Sequence, residues 1–409
     1  MGRQIGSAGI AREKSILLSA FSERMPDRVQ SSLLRACLSQ GEDAGQYWQE
    51  WCEAVGDPVE AIHLDRSSLK GLIPLVDFSV RNRAFETGPN LRAHLRVAHI
   101  REQLRNKIYY DVYRDILNTM RAHGVKALTM KACAVANTVY PDPSARHNHA
   151  IDLLVTRSGL SAACGALENK DLSASPCEED RHHRVYIHQS GLSIGLHTRL
   201  FRSPYFRLDR GGIWLRGVPV QIADVQAMVP APVDQLLHTC GHASYAGGSR
   251  NFRWICDAAF LVQNSGVLDY ELLLKEAAWG HLTIPLLACL DYLADDLGVP
   301  VPRDVVDRLR NQVSASDHAA EEAAFFSATD FSKASTRRVV SKLLESWPTR
   351  IKLMKYVVFP SSVYMRWKYT VTSTWMLPAL YLYRLLNMPR RAFQIFSHPV
   401  WRQKADARI

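Results

Sequence analysis

The sequence places one acid where an acid is costly. Asp152 stands inside Ile151-Asp152-Leu153-Leu154-Val155, an apolar run of strand type. A buried carboxylate must be paired or must hold a metal. Groups able to act with it lie nearby in the chain. Lys131 opens a helix after the strand candidate Val125-Lys126-Ala127-Leu128-Thr129, Arg146 precedes the Asp152 run, and His197 ends a hairpin. An ion pair with Arg146 or a capping contact is the plain structural account of Asp152; a functional site is the other. His147 and His149 form a His-x-His, which with an acid and a distal His can take a metal softer than Mg²⁺. Their polar loop favours an ordinary surface role. His238 and His242 share a helix face at i, i+4 but lack a third ligand. The loop Tyr245–Arg250 has two glycines, yet it follows a helix, so it is not a phosphate-cradling loop of the strand–turn–helix kind.

Elements that would position these groups follow from periodicity. Helices are expected over Ser31–Glu86, with Leu72–Val76 readable as helix or strand. A long helix is expected from Leu91 to His123. Its stripe of Ile100, Leu104, Ile108, Val112, Ile116, Leu117 and Met120 calls for one buried face. Gly124 stands where a C-cap glycine belongs. After the strand at 125–129 come a helix from Met130 to Val139, a turn at Tyr140–Pro143, the Asp152 strand, and a helix from Ser158 to Asn169. Arg184–Gln189 and Leu192–His197 alternate around Ser190-Gly191 as a hairpin, and Ile213–Ile222 reads as another. Helices then dominate: Val233–Tyr245, Trp254–Gln263 and Tyr270–Leu297. The expected fold is α+β, a small mixed sheet flanked by N- and C-terminal helical subdomains. The expected regions are a helical 1–95, an α/β core over 96–228, a helical 229–330 and a basic, aromatic, helical tail over 331–409.

The 409 residues are 47% hydrophobic and 22% charged, which excludes disordered, collagenous and coiled-coil classes. Eight cysteines without a C-x-x-C pair read as reduced thiols of a cytoplasmic protein. The N-terminal residues show neither an apolar signal core nor the myristoylation pattern. The net charge of +10 is a property of the tail: Phe331–Ile409 holds fifteen Lys or Arg against Glu345 and Asp406. Aromatics interleave with those cations, among them Trp347, Tyr356, Trp367 and Trp375. A helical subdomain with an aromatic core is the first account of the tail. Peripheral contact with an anionic membrane is the second. Nucleic acid comes last, since no binding motif is present. The uncharged run Tyr369–Tyr383 falls short of the roughly 20 residues of a membrane span.

Taken in order, these residues resemble a known pattern. The run Gly124-Val125…Met130-Lys131-Ala132…Tyr140-Pro141-Asp142…Arg146…Ile151-Asp152-Leu153-Leu154-Val155 is similar to the bacterial uncharacterised nucleotidyltransferase family of the polymerase-β-like superfamily. Ile194-Gly195-Leu196-His197, Leu237-His238…Gly241-His242 and Arg253-Trp254-Ile255-Cys256-Asp257 continue the resemblance. Phe359-Pro360-Ser361…Met365-Arg366…Tyr369 and Leu382-Tyr383-Arg384 extend it into the tail. The resemblance implies a nucleotidyltransferase-like core. It implies transfer of a nucleoside monophosphate from an NTP to a small-molecule, peptide or saccharide acceptor, in polysaccharide or peptide natural-product biosynthesis. Mg²⁺ or Mn²⁺ would be bound by carboxylates. Asp152 would be the metal ligand and catalytic group, Lys131 and Arg146 the phosphate contacts, and His197 part of the nucleotide pocket. The sequence departs from the family at three positions. Ala150 replaces the first acid of an Asp-x-Asp, Gly195 replaces a Glu, and Ala132 replaces a glycine. The alternative is therefore a catalytically inactive relative that binds a nucleotide or a partner as a scaffold.

Overall fold

The computed structural model describes residues 17, 18, 21, 25–64, 69–328 and 359–386, apart from 169, 171, 175–182, 202, 209–211, 246–250, 317 and 372. The N-terminal helices are α1 (Arg28–Leu38), α2 (Ala44–Val55), α3 (Pro58–Leu64) and α4 (Ile73–Asn82). Asp27 caps α1 through a reciprocal pair with Gln30, a capping box. The ambiguous Leu72–Val76 run is helical, with Pro74 in the first turn of α4 where its missing N–H costs nothing.

The long helix is α5 (Pro89–Ala122), closed by Gly124 at φ +66° while the Val125 N–H donates to the Met120 carbonyl. Its expected buried stripe is only half correct. Val112, Ile116, Leu117 and Met120 are buried, but Ile100, Leu104 and Ile108 are exposed. The N-terminal half buries Leu91, Leu95, His99, Glu102, Asn106 and Tyr109 instead. Of the polar residues on that face, Glu102 finds partners, accepting from His147 Nδ1 at 2.8 Å and from the Asn148 N–H at 3.3 Å, whereas the buried Asn106 amide meets no hydrogen-bond partner among the described residues.

The core sheet follows. Its elements are β1 (Ala127–Met130), α6 (Lys131–Thr138), β2 (Ala150–Val155), α7 (Leu160–Glu168), β3 (Leu172–Ala174), β4 (His183–His188) and β5 (Ser193–His197). The strand order is β1-β2-β5-β4-β3, with β2 and β5 parallel and every other pair antiparallel. The predicted β4–β5 hairpin is present. The second hairpin is displaced from its expected position. A short helical turn α8 (Gly212–Leu215) precedes β6 (Val218–Ile222), which pairs with β7 (Val225–Val229). Ala223 and Asp224 link them, both at positive φ, the backbone of a two-residue turn that matches strand twist.

The helical part contains α9 (Pro232–Tyr245), α10 (Arg253–Asn264), α11 (Tyr270–Gly280), α12 (Thr283–Asp295), α13 (Arg303–Ala315) and α14 (Ala319–Ala328). The single helix expected over Tyr270–Leu297 is two, broken where His281 turns left-handed at φ +58°. In the tail lie α15 (Ser362–Lys368) and α16 (Leu377–Leu386); Trp347, Tyr356 and residues 387–409 fall outside the described residues. No helix among the described residues is long and apolar enough to cross a membrane.

Strand alternation decides what Asp152 meets. Ile151, Leu153 and Val155 belong to a core with Tyr113, Ile116 and Met120 of α5. Leu154 belongs to the other core, with Leu236 and Leu237 of α9 and Ile255 of α10. Asp152 shares the face of Leu154 and so points to the side of the helical subdomain.

Candidate functional site

Three of the four expected site residues meet. Register places Met130 opposite Asp152 on one side and Gly195 opposite it on the other. Lys131 follows Met130 directly, and His197 lies one pleat beyond Gly195 on the same face. The Lys131 Nζ donates to Asp152 Oδ1 at 2.7 Å, and the His197 Nε2 donates to the same oxygen at 2.6 Å. An ionised carboxylate only accepts, so Nε2 carries the imidazole proton. Burial alone would raise the Asp152 carboxyl, but the Lys131 ammonium and the His197 N–H outweigh it. They hold the carboxyl well below the usual carboxylate range. Lys131 is 27% exposed and reaches this oxygen from a left-handed backbone at φ +54°. Such a conformation costs a long side chain about 1–3 kcal/mol and persists only when neighbours enforce it.

The place of a third acid is filled. A Cβ on Gly195 would stand 2.9 Å from His197 Nε2, 3.0 Å from Asp152 Oδ1 and 3.2 Å from His183 Nε2. His183, opposite His197 across β4 and β5, stacks on it at 4.3 Å between ring centroids. Three polar side chains thus converge over the glycine and occupy the space a glutamate would need. Sequence reasoning did not assign His183 to this site; its cross-strand pairing with His197 was the available signal. Behind them, His238 of α9 gives its Nε2 proton to the Leu200 carbonyl at 3.0 Å. Burial, then His242 and Lys131, push His238 well below the ordinary histidine value, so it stays neutral.

Arg146 is not brought to this cluster. Its Nε and Nη2 each donate at 2.7 Å to the two oxygens of Asp257, and the Tyr140 hydroxyl adds a third hydrogen bond at 2.8 Å. The pair is buried. The guanidinium expected on phosphate therefore fastens the loop before β2 to α10. The expected Arg146–Asp152 pairing is likewise replaced by Lys131 and His197. The neighbouring Arg253 is lowered to about 10 by burial and by the Arg146 charge.

The donor set does not fit a pair of Mg²⁺ ions. Such ions take oxygen ligands, chiefly carboxylates. Here one carboxylate is neutralised by an ammonium, and both hydrogen bonds to it among the described residues fall on Oδ1. Ala150 supplies no oxygen from its side chain. His147 and His149 do not form a softer-metal set: His147 is bonded to Glu102, and His149 lies 3.5 Å from an Arg253 nitrogen. Among the described residues, no group of three or more His, Cys, Asp or Glu is arranged to hold a metal.

A cavity of about 1240 Å³ opens where the parallel strands end, lined by Leu154–Arg157 at and beyond the end of β2 and by Thr198–Phe201 after β5. Asp152 is one pleat from Leu154, about 6.6 Å along the strand, and His197 directly precedes Thr198. The cluster therefore adjoins the cavity without lining it. Among the described residues, five cations line the cavity: Arg157, Arg199, Arg207, Arg366 and Lys368. Trp214, Trp279 and Trp367 provide flat apolar walls, and no carboxylate is among the described lining residues. Arg366, Trp367 and Lys368 come from α15, so the tail forms part of this wall. Gly280 permits the approach of the Arg207 segment, since a Cβ there would stand 2.3 Å from the Arg207 carbonyl. Cations with stacking surfaces suit a ligand that joins phosphate to a planar ring.

A family model described as an uncharacterised nucleotidyltransferase matches residues 64–298. No curated protein and no solved structure matches the chain.

Proposed function

This chain belongs to the uncharacterised nucleotidyltransferase family, and from that premise we propose that it binds an NTP without carrying out two-metal transfer. The phosphate chain lies among the cations of the cavity and the base stacks on its tryptophans. One observation carries the silent reading: the Lys131 ammonium stands 2.7 Å from the only family carboxylate retained, where the transfer chemistry needs a divalent cation. The protein then acts as a nucleotide-dependent scaffold.

A second reading has its own support. Asp152 is held ionised beside the cavity, so a ligand that draws Lys131 onto phosphate would release a carboxylate. In that state the protein would transfer a nucleoside monophosphate to a small-molecule, peptide or saccharide acceptor, as in polysaccharide or peptide natural-product biosynthesis.

The test is incubation of the full chain with each labelled NTP, Mg²⁺ or Mn²⁺ and candidate acceptors. The readouts are nucleotide retention and pyrophosphate release. The expected result is retention without pyrophosphate. Pyrophosphate release that Asp152→Ala abolishes would replace this reading with the transferase reading. Absence of both NTP retention and pyrophosphate release would remove both readings.

A further inference from the structure

The N-terminal half of the long helix α5 buries a largely polar face and, among the described residues, leaves an apolar one exposed. At about 100° per residue, Val97, Ile100, Leu104 and Ile108 fall within an arc of about 80°. That arc lies opposite Leu95, His99, Glu102 and Asn106, the residues the helix buries. The four apolar side chains are 57%, 42%, 64% and 51% exposed. They form a ridge about 17 Å long. Cations flank the ridge: Arg101 on one side, Arg96 and Lys107 on the other, all exposed. Between Pro89 and Tyr110 the one acid is Glu102, buried on the opposite face against His147; beyond Ile108 the same arc carries the exposed Asp111 and Asp115, each already paired with a cation, Arg114 and Lys170.

We propose that this face of α5 docks on an anionic membrane surface. Apolar side chains enter the headgroup boundary, and flanking cations reach the lipid phosphates along their aliphatic stems. Charge decides against the other occupants. A second copy would gather Arg96, Arg101 and Lys107 from both sides into one interface, where the exposed acids of the arc, Asp111 and Asp115, already pair with Arg114 and Lys170. A nucleic acid would use the cations but leave the ridge in water. The inference does not rest on nucleotide binding.

The experiment is vesicle flotation of the full chain with phosphatidylcholine alone and with phosphatidylcholine–phosphatidylglycerol mixtures, at low and high salt. Flotation with the anionic vesicles only, released by salt, is expected. Ile100→Ser with Leu104→Ser, both at the surface, should abolish it with an unchanged circular dichroism spectrum. Arg101→Gln with Lys107→Gln should weaken it by about thirtyfold, on the scale of two surface cations. The comparison variant is Trp375→Ser with Leu386→Ser, which removes exposed apolar groups from the tail; it should float as wild type. Three results would overturn the proposal. They are no flotation of the wild type, flotation of the I100S/L104S variant equal to wild type, and a dimer in solution that Leu104→Ser converts to monomer.

Discussion

Replacing Asp152 by Asn should strengthen nucleotide binding. The cluster is neutral, with Lys131 at +1 and Asp152 at −1 sharing one oxygen. The substitution keeps a hydrogen-bond acceptor and leaves the cluster at +1. Take phosphate oxygens about 6 Å from the lost charge. Coulomb's law then gives about 0.7 kcal/mol at the dielectric of water and about 2.8 kcal/mol at an effective value near 20. The partial exposure of Lys131, 27%, places the gain toward the lower part of that range. A three- to thirtyfold fall in Kd is expected, since about 1.4 kcal/mol is tenfold. The assay is calorimetric titration with ATP in the presence of EDTA, repeated with added Mg²⁺. If Asp152 instead anchors a metal that carries the nucleotide, Asp152→Asn weakens binding and EDTA weakens the wild type. Either outcome would refute the ion-pair argument.

Further expectations follow from the same geometry. Arg146→Met should destabilise the chain by about 3–5 kcal/mol in urea unfolding, because it strands the buried Asp257 carboxylate. A change in NTP affinity at unaltered stability would return Arg146 to the ligand. Removing both charges with Arg146→Met and Asp257→Leu should cost less than the sum of the single changes, read as a double-mutant cycle. Asp152 has a depressed folded pKa, so its stabilisation is complete above the unfolded value of about 3.9 and fades as pH falls through the lower folded value. Asp152→Asn should flatten that acid limb of the stability profile, and an unchanged limb would contradict the pairing. Gly195→Ala should cost about 1–3 kcal/mol, because a methyl meets three side chains within 3.2 Å. A neutral result in thermal unfolding would show that the cluster yields easily.

The parts of the site legible in the sequence were those set by local pattern. An acid in an apolar strand, a hairpin ending in His197 and a helix opening at Lys131 are each local, and pairing of β1 and β5 with β2 brought the three together. The partner of Arg146 was not legible. Asp257 lies 111 residues away, and strand or helix periodicity carries no information about which distant acid a cation will meet. The face of α5 was misread for a related reason. Spacing identifies an apolar stripe, but a helix with two stripes buries the one its neighbours can satisfy, and here Asp77 and His147 made a polar face buriable. The left-handed Lys131 had no local signal either, since no glycine marks it.

The contribution of α15 to the cavity has a practical meaning for anyone wishing to work with a shortened protein. Cutting after the last residue of the family match, 298, would look like a clean excision of the catalytic unit. It would in fact strip two of the five cations found among the described lining residues, and one indole, from the basin beside β2 and β5. What remained would be an open trough with the polarity of its floor intact and one bank missing. Failure of such a fragment to hold a nucleotide would then report the missing bank, and would say nothing about the floor.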